Sequence, residues 1–264
     1  MEFLRVVKGR GIMSTLLHVL FNIALAAMVF LLLYIAKQPE AALLLVLISK
    51  WRIFAVRMRY WKANILANLV DITVGCSVVG LLYLAGEVAG QMSLWLQLGI
   101  TVLYAVWLIA VKPLSSKKAM AAQALISLFV GTWAVMAFAH VLSAVPFVVE
   151  VLLFAVGYGS ARHMLSMYKE KQLSMLAMLF GLVVAEIGWV ASHWTIGYGV
   201  RAVDAFRLPQ VAIIIVLVGL SFERFYSAAR TGQLLRQSEY SAPIIFSVAT
   251  IVVLLMVFSS AASV

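Results

Sequence analysis

Lys50-Trp51-Arg52-Ile53-Phe54-Ala55-Val56-Arg57-Met58-Arg59-Tyr60-Trp61-Lys62-Ala63-Asn64-Ile65-Leu66-Ala67-Asn68-Leu69-Val70-Asp71 decides how the rest of the chain is read. Five cations (Lys50, Arg52, Arg57, Arg59 and Lys62) sit among Trp51, Tyr60 and Trp61, with long apolar segments on both sides. Lys and Arg stay on the cytoplasmic side of a membrane, and Trp and Tyr rings favour the headgroup level. The stretch therefore reads as the cytoplasmic end of a membrane hairpin, with Arg52, Arg57, Arg59, Lys62, Trp51 and Trp61 facing lipid headgroups.

Composition agrees. Of 264 residues, 65% are hydrophobic and 11% charged, against about 45–50% and about 25% in soluble domains. The surplus apolar surface needs lipid to face. A net charge of +10 would point to nucleic acid in a soluble protein. Here the cations lie between apolar segments, so they read as orientation signals and contacts to anionic headgroups, with no nucleic acid as partner. Cys76 is the single cysteine, so neither an intramolecular disulfide nor a cysteine zinc cluster can form.

A membrane helix needs about 20 apolar residues. Outward from the first hairpin, candidate spans cover about 14–36, 39–56, 63–85, 91–111, 119–141, 146–163, 173–196, 209–223 and 243–262. The eighth is the shortest of the inner segments. Arg5, Lys8 and Arg10 precede the first segment as in a signal peptide, but its apolar run continues to Tyr34, as expected of an uncleaved first helix. With these nine spans, seventeen of the twenty Lys and Arg residues fall on one side, leaving Lys37, Arg201 and Arg207 opposite. The expectation is an all-α polytopic bundle in one integral membrane domain, 1–264, with the N-terminus cytoplasmic and the C-terminus outside. All five prolines fall at ends of these segments. No helix broken at mid-membrane, the device of many transporters, is evident, nor is an internal repeat.

Ionisable groups at membrane depth are costly and are functional candidates by default. Asp71 lies about 12 Å above the basic turn at about 1.5 Å per residue. Lys50 reaches the same depth on the preceding segment, so the two are expected to form an ion pair that locks the hairpin. The same register sets Asn68 opposite Arg52. Glu186, Trp189 or Val190, and His193 share one helix face. Gly181, Ala185, Gly188 and Ser192 make a small-residue groove beside it. Glu186 and His193 are therefore expected to face protein or water, as a proton relay, a metal contact or a contact to a polar substrate group. Glu150, in a first helical turn, is accounted for by the helix dipole, and His18 with Asn22 reads as a packing contact.

Enzyme motifs are mostly missing: there is no His-Glu-x-x-His zinc motif and no Walker loop, and nothing calls for a cofactor or a resident metal. Gly157-Tyr-Gly-Ser160-Ala-Arg-His163 approaches a nucleophile elbow without its Gly-x-Ser-x-Gly spacing.

Ala185-Glu186-Ile-Gly-Trp189-Val-Ala-Ser-His193-Trp194-Thr-Ile-Gly-Tyr198, with Leu208-Pro209-Gln210 after it, resembles multi-pass proteins of unknown function from candidate-phyla bacteria. The resemblance implies a bacterial cytoplasmic membrane and carries no functional residue. Three functions compete. The first is a small transporter or proton-coupled permeation protein using Asp71, Glu186 and His193. The second is a structural or assembly subunit, either homo-oligomeric or within a larger envelope complex. The third is a membrane enzyme acting on lipid, using Ser160 with His163 or Glu186 with His193.

Overall fold

The structure is a computed structural model that describes residues 12–88, 90–142, 145–193, 196–198, 206–231 and 237–257. Ten α-helices account for almost all of it: α1 (Ile12–Tyr34), α2 (Pro39–Ile48), α3 (Trp61–Ala67), α4 (Leu69–Gly86), α5 (Gln91–Val106), α6 (Lys117–Leu142), α7 (Pro146–Ser166), α8 (Leu173–Ser192), α9 (Gln210–Thr231) and α10 (Gln237–Val257). Among the described residues, seven helical segments are long and apolar enough to cross a membrane: α1, α4, α5 with the turn that follows it, and α6 to α9. The apolar stretches Pro39–Ile48 and Ser241–Val257 are shorter. The expected all-helical architecture is present, with seven helices of membrane length among the described residues where nine spans were expected. A two-residue antiparallel ribbon, β1 (Gly197–Tyr198) with β2 (Leu208–Pro209), adds to it.

The chain forms two compact units, 1–123 with 201–206 and 124–200 with 207–264. In the first unit α4 is the central helix. Val74, Val78, Val79, Leu81, Leu82 and Leu84 along it are buried, and α1, α2 and α5 pack on it. Gly75 permits the closest approach, because a Cβ there would lie 2.7 Å from Val46 Cγ1 of α2. Buried Gln97 of α5 donates through Nε2 to the Leu82 carbonyl at 3.0 Å.

In the second unit α7 and α8 form the tightest pair. A Cβ on Gly157 would meet Gly181 Cα at 3.1 Å, and one on Gly188 would run into Leu153 Cδ1. Leu128, Leu153, Phe180, Val184 and Ile215 build the core around this crossing. Gln210, at the start of α9, donates through Nε2 to Tyr198 Oη (2.9 Å) and to the Leu254 carbonyl of α10 (2.7 Å).

Several segments differ from the sequence expectation. The segment at 39–56 is helical only to Ile48. Ser49 Oγ then donates to the Val46 carbonyl at 2.6 Å, and a 3-10 turn, Trp51–Ile53, follows. The segment at 63–85 is divided at Asn68, whose Nδ2 donates to the Asn64 carbonyl at 2.8 Å instead of meeting Arg52. Asn competes locally with the helix ladder in this way. Its consequence is that Asp71 sits in the first turn of a new helix, α4, where the helix dipole favours a carboxylate. The segment at 209–223 is a 22-residue helix, α9. Pro243 lies inside α10 rather than at its start.

Candidate functional site

The first unit places a charged centre around Asp71. Lys50, two residues past the end of α2, and Asp71, in the first turn of α4, form a buried ion pair as the sequence predicts. The same oxygen, Oδ2, also takes Lys112 Nζ at 2.7 Å. The other oxygen, Oδ1, accepts from Trp107 Nε1 at 3.4 Å. The Lys50 and Asp71 side chains are 7% and 9% exposed, while that of Lys112 is 36% exposed. Two ammonium groups thus share one carboxylate, and the centre carries a net positive charge.

The local backbone puts those donors there. Trp107–Val111 is a π-helical turn at the end of α5, the kind of insertion that often marks functional sites. Gln123 of α6 holds the turn, donating through Nε2 to the carbonyls of Val111 at 2.7 Å and Leu114 at 2.9 Å. Buried Tyr104 lies on the same side of α5, and its hydroxyl has no hydrogen-bond partner among the described residues. That hydroxyl would be 3.4 Å from a Cβ on Gly75, one turn beyond Asp71. Lys112, Trp107 and Tyr104 were not singled out from the sequence. The π-helical turn at Trp107–Val111 shifts the register that four-residue spacing assumes, so their meeting at Asp71 could not be read from spacing.

The basic hairpin beyond Lys50 is compact. Phe54 and Trp61 rings meet edge to face at 5.4 Å, Trp61 Nε1 donates to the Val56 carbonyl at 3.0 Å, and the Arg59 guanidinium lies 4.6 Å from the Tyr60 ring centroid. Arg52, Arg57, Arg59, Lys62 and Trp51 are exposed, and Trp61 is half-buried.

Glu186 and His193 stand elsewhere, on α8 of the second unit. The small-residue groove is present: Gly181 and Gly188 are buried against Phe154 and Leu153 of α7. Glu186 and His193 are on the exposed side. At 3.6 residues per turn Glu186 lies about 140° around the axis from Gly181 and about 160° from Gly188, so a groove turned to α7 turns Glu186 outward. Among the described residues it has no hydrogen-bond or ion-pair partner. His193 Nδ1 lies 2.9 Å from the Trp189 carbonyl oxygen, placed to donate to it, and its ring meets Trp189 edge to face at 4.9 Å.

A second polar cluster joins the start of α8 to its neighbours. Glu170 Oε2 accepts from both Tyr226 Oη and Arg230 of α9. Arg162 of α7 donates to Ser174 Oγ at 3.0 Å and to Tyr158 Oη at 3.3 Å. Ser160 Oγ is buried without a hydrogen-bond partner among the described residues, so it forms no couple with His163. His18 and Asn22 meet as expected, with Asn22 Nδ2 3.1 Å from His18 Nε2. Among the described residues no three His, Cys, Asp or Glu side chains are grouped to hold a metal ion. Arg5, Lys8, Arg10, Trp194, Arg201 and Asp204 lie outside the described residues.

No family model matches the chain, and no curated protein or solved structure is significantly similar to it. The class defined by the fold is that of all-helical proteins, with seven helices among the described residues long and apolar enough to cross a membrane.

Proposed function

We propose that the chain is a multi-pass protein of a bacterial cytoplasmic membrane that serves as a structural or assembly subunit of a membrane complex. The single observation carrying this reading is Glu186. It lies about 20 Å along α8 from Leu173 and about 9 Å short of Ser192 at 1.5 Å per residue. Around it, Leu182, Val183, Trp189 and Val190 are all exposed. A carboxylate in lipid without a partner is unfavourable by several kcal/mol in order of magnitude. Another polypeptide covering this face would remove that cost.

In this reading the chain crosses the membrane about nine times with its N-terminus inside, because seventeen of its twenty cations then share the cytoplasmic side. α2, at 10 residues, is about 15 Å long. The second crossing is completed by the turns that follow, through Lys50, whose charge Asp71 offsets. The exposed Arg52, Arg57, Arg59 and Lys62 then contact anionic headgroups.

The test is photo-crosslinking in the intact native membrane from a reactive amino acid at position 182, with position 21 of α1 as control. Phe21 is 69% exposed and Leu182 51%, so exposure alone would treat them alike. Discrete polypeptide adducts from 182 and lipid adducts from 21 are expected. Lipid adducts alone from both would overturn the proposal.

A second reading rests on the Asp71 centre. A carboxylate shared by two lysines, beside the unpartnered Tyr104 hydroxyl, is a group through which a proton or cation could pass in coupled permeation. Flux in reconstituted vesicles that is lost in Asp71→Asn, with the melting profile kept, would favour it over the assembly reading.

A further inference from the structure

We infer that the Lys50–Asp71–Lys112 centre is a binding site for one phosphate group, supplied by an anionic lipid headgroup or by free phosphate. The site goes beyond the assembly reading: it belongs to the first unit, whereas α8 belongs to the second. Its observation is a surplus of hydrogen-bond donors. An ammonium group carries three N–H bonds. Lys50 gives one of them to Asp71 Oδ2 and has no second acceptor among the described residues. Yet only 7% of its side chain is exposed. The Lys112 ammonium, 2.7 Å from the same oxygen, likewise has no other partner among the described residues. Trp107 Nε1 reaches the other carboxylate oxygen only at 3.4 Å.

Tyr104 adds a fourth donor beside them. It is 1% exposed, and its hydroxyl has no hydrogen-bond partner among the described residues. That oxygen would lie 3.4 Å from a Cβ on Gly75, one turn along α4 from Asp71. Buried donors without acceptors are costly, so the centre is built around an occupant that accepts.

The charges are as unequal as the donors. Two ammonium groups and one carboxylate leave one positive charge where water has little access, and uncompensated charge there is unfavourable. A water molecule would take the spare N–H bonds but leave that charge. An oxyanion answers both. Two ammonium nitrogens bonded to one oxygen lie at most about 5.5 Å apart, two charge-assisted hydrogen bonds end to end. The oxygens of one phosphate can then meet both on the side away from Asp71, which closes a ring of alternating charges. A phosphodiester carries one negative charge, equal to the surplus, and its free oxygens accept several bonds at once. Lys112 gives it a way in, being 36% exposed at the start of a basic turn with Lys117 and Lys118. Only the lipid source rests on the membrane reading of the chain; the count of donors and charges does not.

The test uses the full chain, purified in a neutral detergent and stripped of bound lipid. Melting is followed as phosphatidylglycerol, inorganic phosphate or chloride is added, because a ligand of the folded state raises its melting temperature. Phosphatidylglycerol should stabilise the parent saturably, inorganic phosphate only at higher concentration, and chloride not at all. Lys112→Gln leaves the Lys50–Asp71 pair neutral and should bind phosphatidylglycerol about tenfold more weakly, since hydrogen bonds between charged groups are the stronger kind. Lys112→Arg keeps the charge and should stay within about threefold of the parent. Lys118→Gln removes an exposed cation of the same turn and should leave binding unchanged. Stabilisation by inorganic phosphate alone, lost in Lys112→Gln, would make free phosphate the source. The site is overturned by the absence of saturable stabilisation, by stabilisation that chloride matches, or by equal losses in Lys112→Gln and Lys118→Gln. Diffuse attraction between headgroups and basic turns would treat both lysines alike. Crosslinking from position 182 plays no part in this experiment, so the assembly reading stands or falls separately.

Discussion

Lys112 Nζ lies 2.7 Å from Asp71 Oδ2, the oxygen that also holds Lys50. Three segments of the first unit therefore end on one atom: the turn after α2, the first turn of α4 and the π-helical turn after α5. An isolated lysine at this position would be costly to bury, and so would an isolated aspartate. Together they are a device that fixes how these segments meet.

Asp71→Asn should accordingly destabilise the fold. It leaves two ammonium groups facing a neutral amide, and Lys50 is only 7% exposed. Removing one partner of a buried pair costs about 3–5 kcal/mol, which a melting curve in detergent would register as a fall in the transition temperature. Adding Lys50→Met to that variant should recover part of the loss. No change in melting on Asp71→Asn would show that the pair contributes nothing to the fold.

Lys112→Gln should cost far less. Its side chain is 36% exposed, and ion pairs open to solvent contribute about 0–1 kcal/mol. The expected result is a shift within that range, with the Lys50–Asp71 pair intact. A loss as large as that of Asp71→Asn would make Lys112, not Lys50, the principal counter-ion.

Gly157→Ala tests the α7–α8 crossing. Its Cβ would fall 2.8 Å from Val184 Cβ and 3.1 Å from Gly181 Cα. One of those contacts is backbone, so the helices must part. Overpacking of this kind costs about 1–3 kcal/mol, again read by melting. Gly99→Ala is the control, because nothing lies within 4 Å of a Cβ there.

The same residues show what a sequence can disclose. The all-helical class and the Lys50–Asp71 pair were legible because apolar length and charge placement are strong, additive signals, whereas nine spans were expected and seven helices of membrane length stand among the described residues. The division at Asn68 was not, since it depends on one side chain bonding to the Asn64 carbonyl 2.8 Å away, a local choice that hydropathy ignores. Lys112 was visible as a cation of the next basic turn. Its reach to Asp71 needed the π-helical turn at Trp107–Val111, which no residue pattern announces. The face of Glu186 was read toward protein or water because buried charge is the rule in membranes. Gly181 and Gly188 turn the opposite side of α8 to α7, so among the described residues no side chain of its own unit partners Glu186.

The proposed sidedness can be checked independently of any partner. Ser116 lies between α5 and α6, and its Oγ accepts from the Ala119 N–H at 3.2 Å. A cysteine there, on the Cys76→Ser background, should react with a membrane-impermeant maleimide only after the membrane is opened. The turn holds Lys112, Lys117 and Lys118, which the positive-inside bias assigns to the cytoplasm. Labelling from outside in sealed cells would invert the topology.

Glu186 allows the last test, and it separates structure from assembly. Because its side chain is exposed on α8 and has no partner among the described residues, neither Glu186→Gln nor Glu186→Leu should disturb intramolecular packing. Surface substitutions of this kind usually fall within about 0.5 kcal/mol, so both monomers should melt as the parent does. What should change is contact with the partner: polypeptide crosslinking from position 182 in the native membrane should persist in Glu186→Gln, which keeps a polar group there, and fall in Glu186→Leu, which removes it. A large drop in melting for Glu186→Leu would instead place the carboxylate in the fold itself, and the assembly reading would give way.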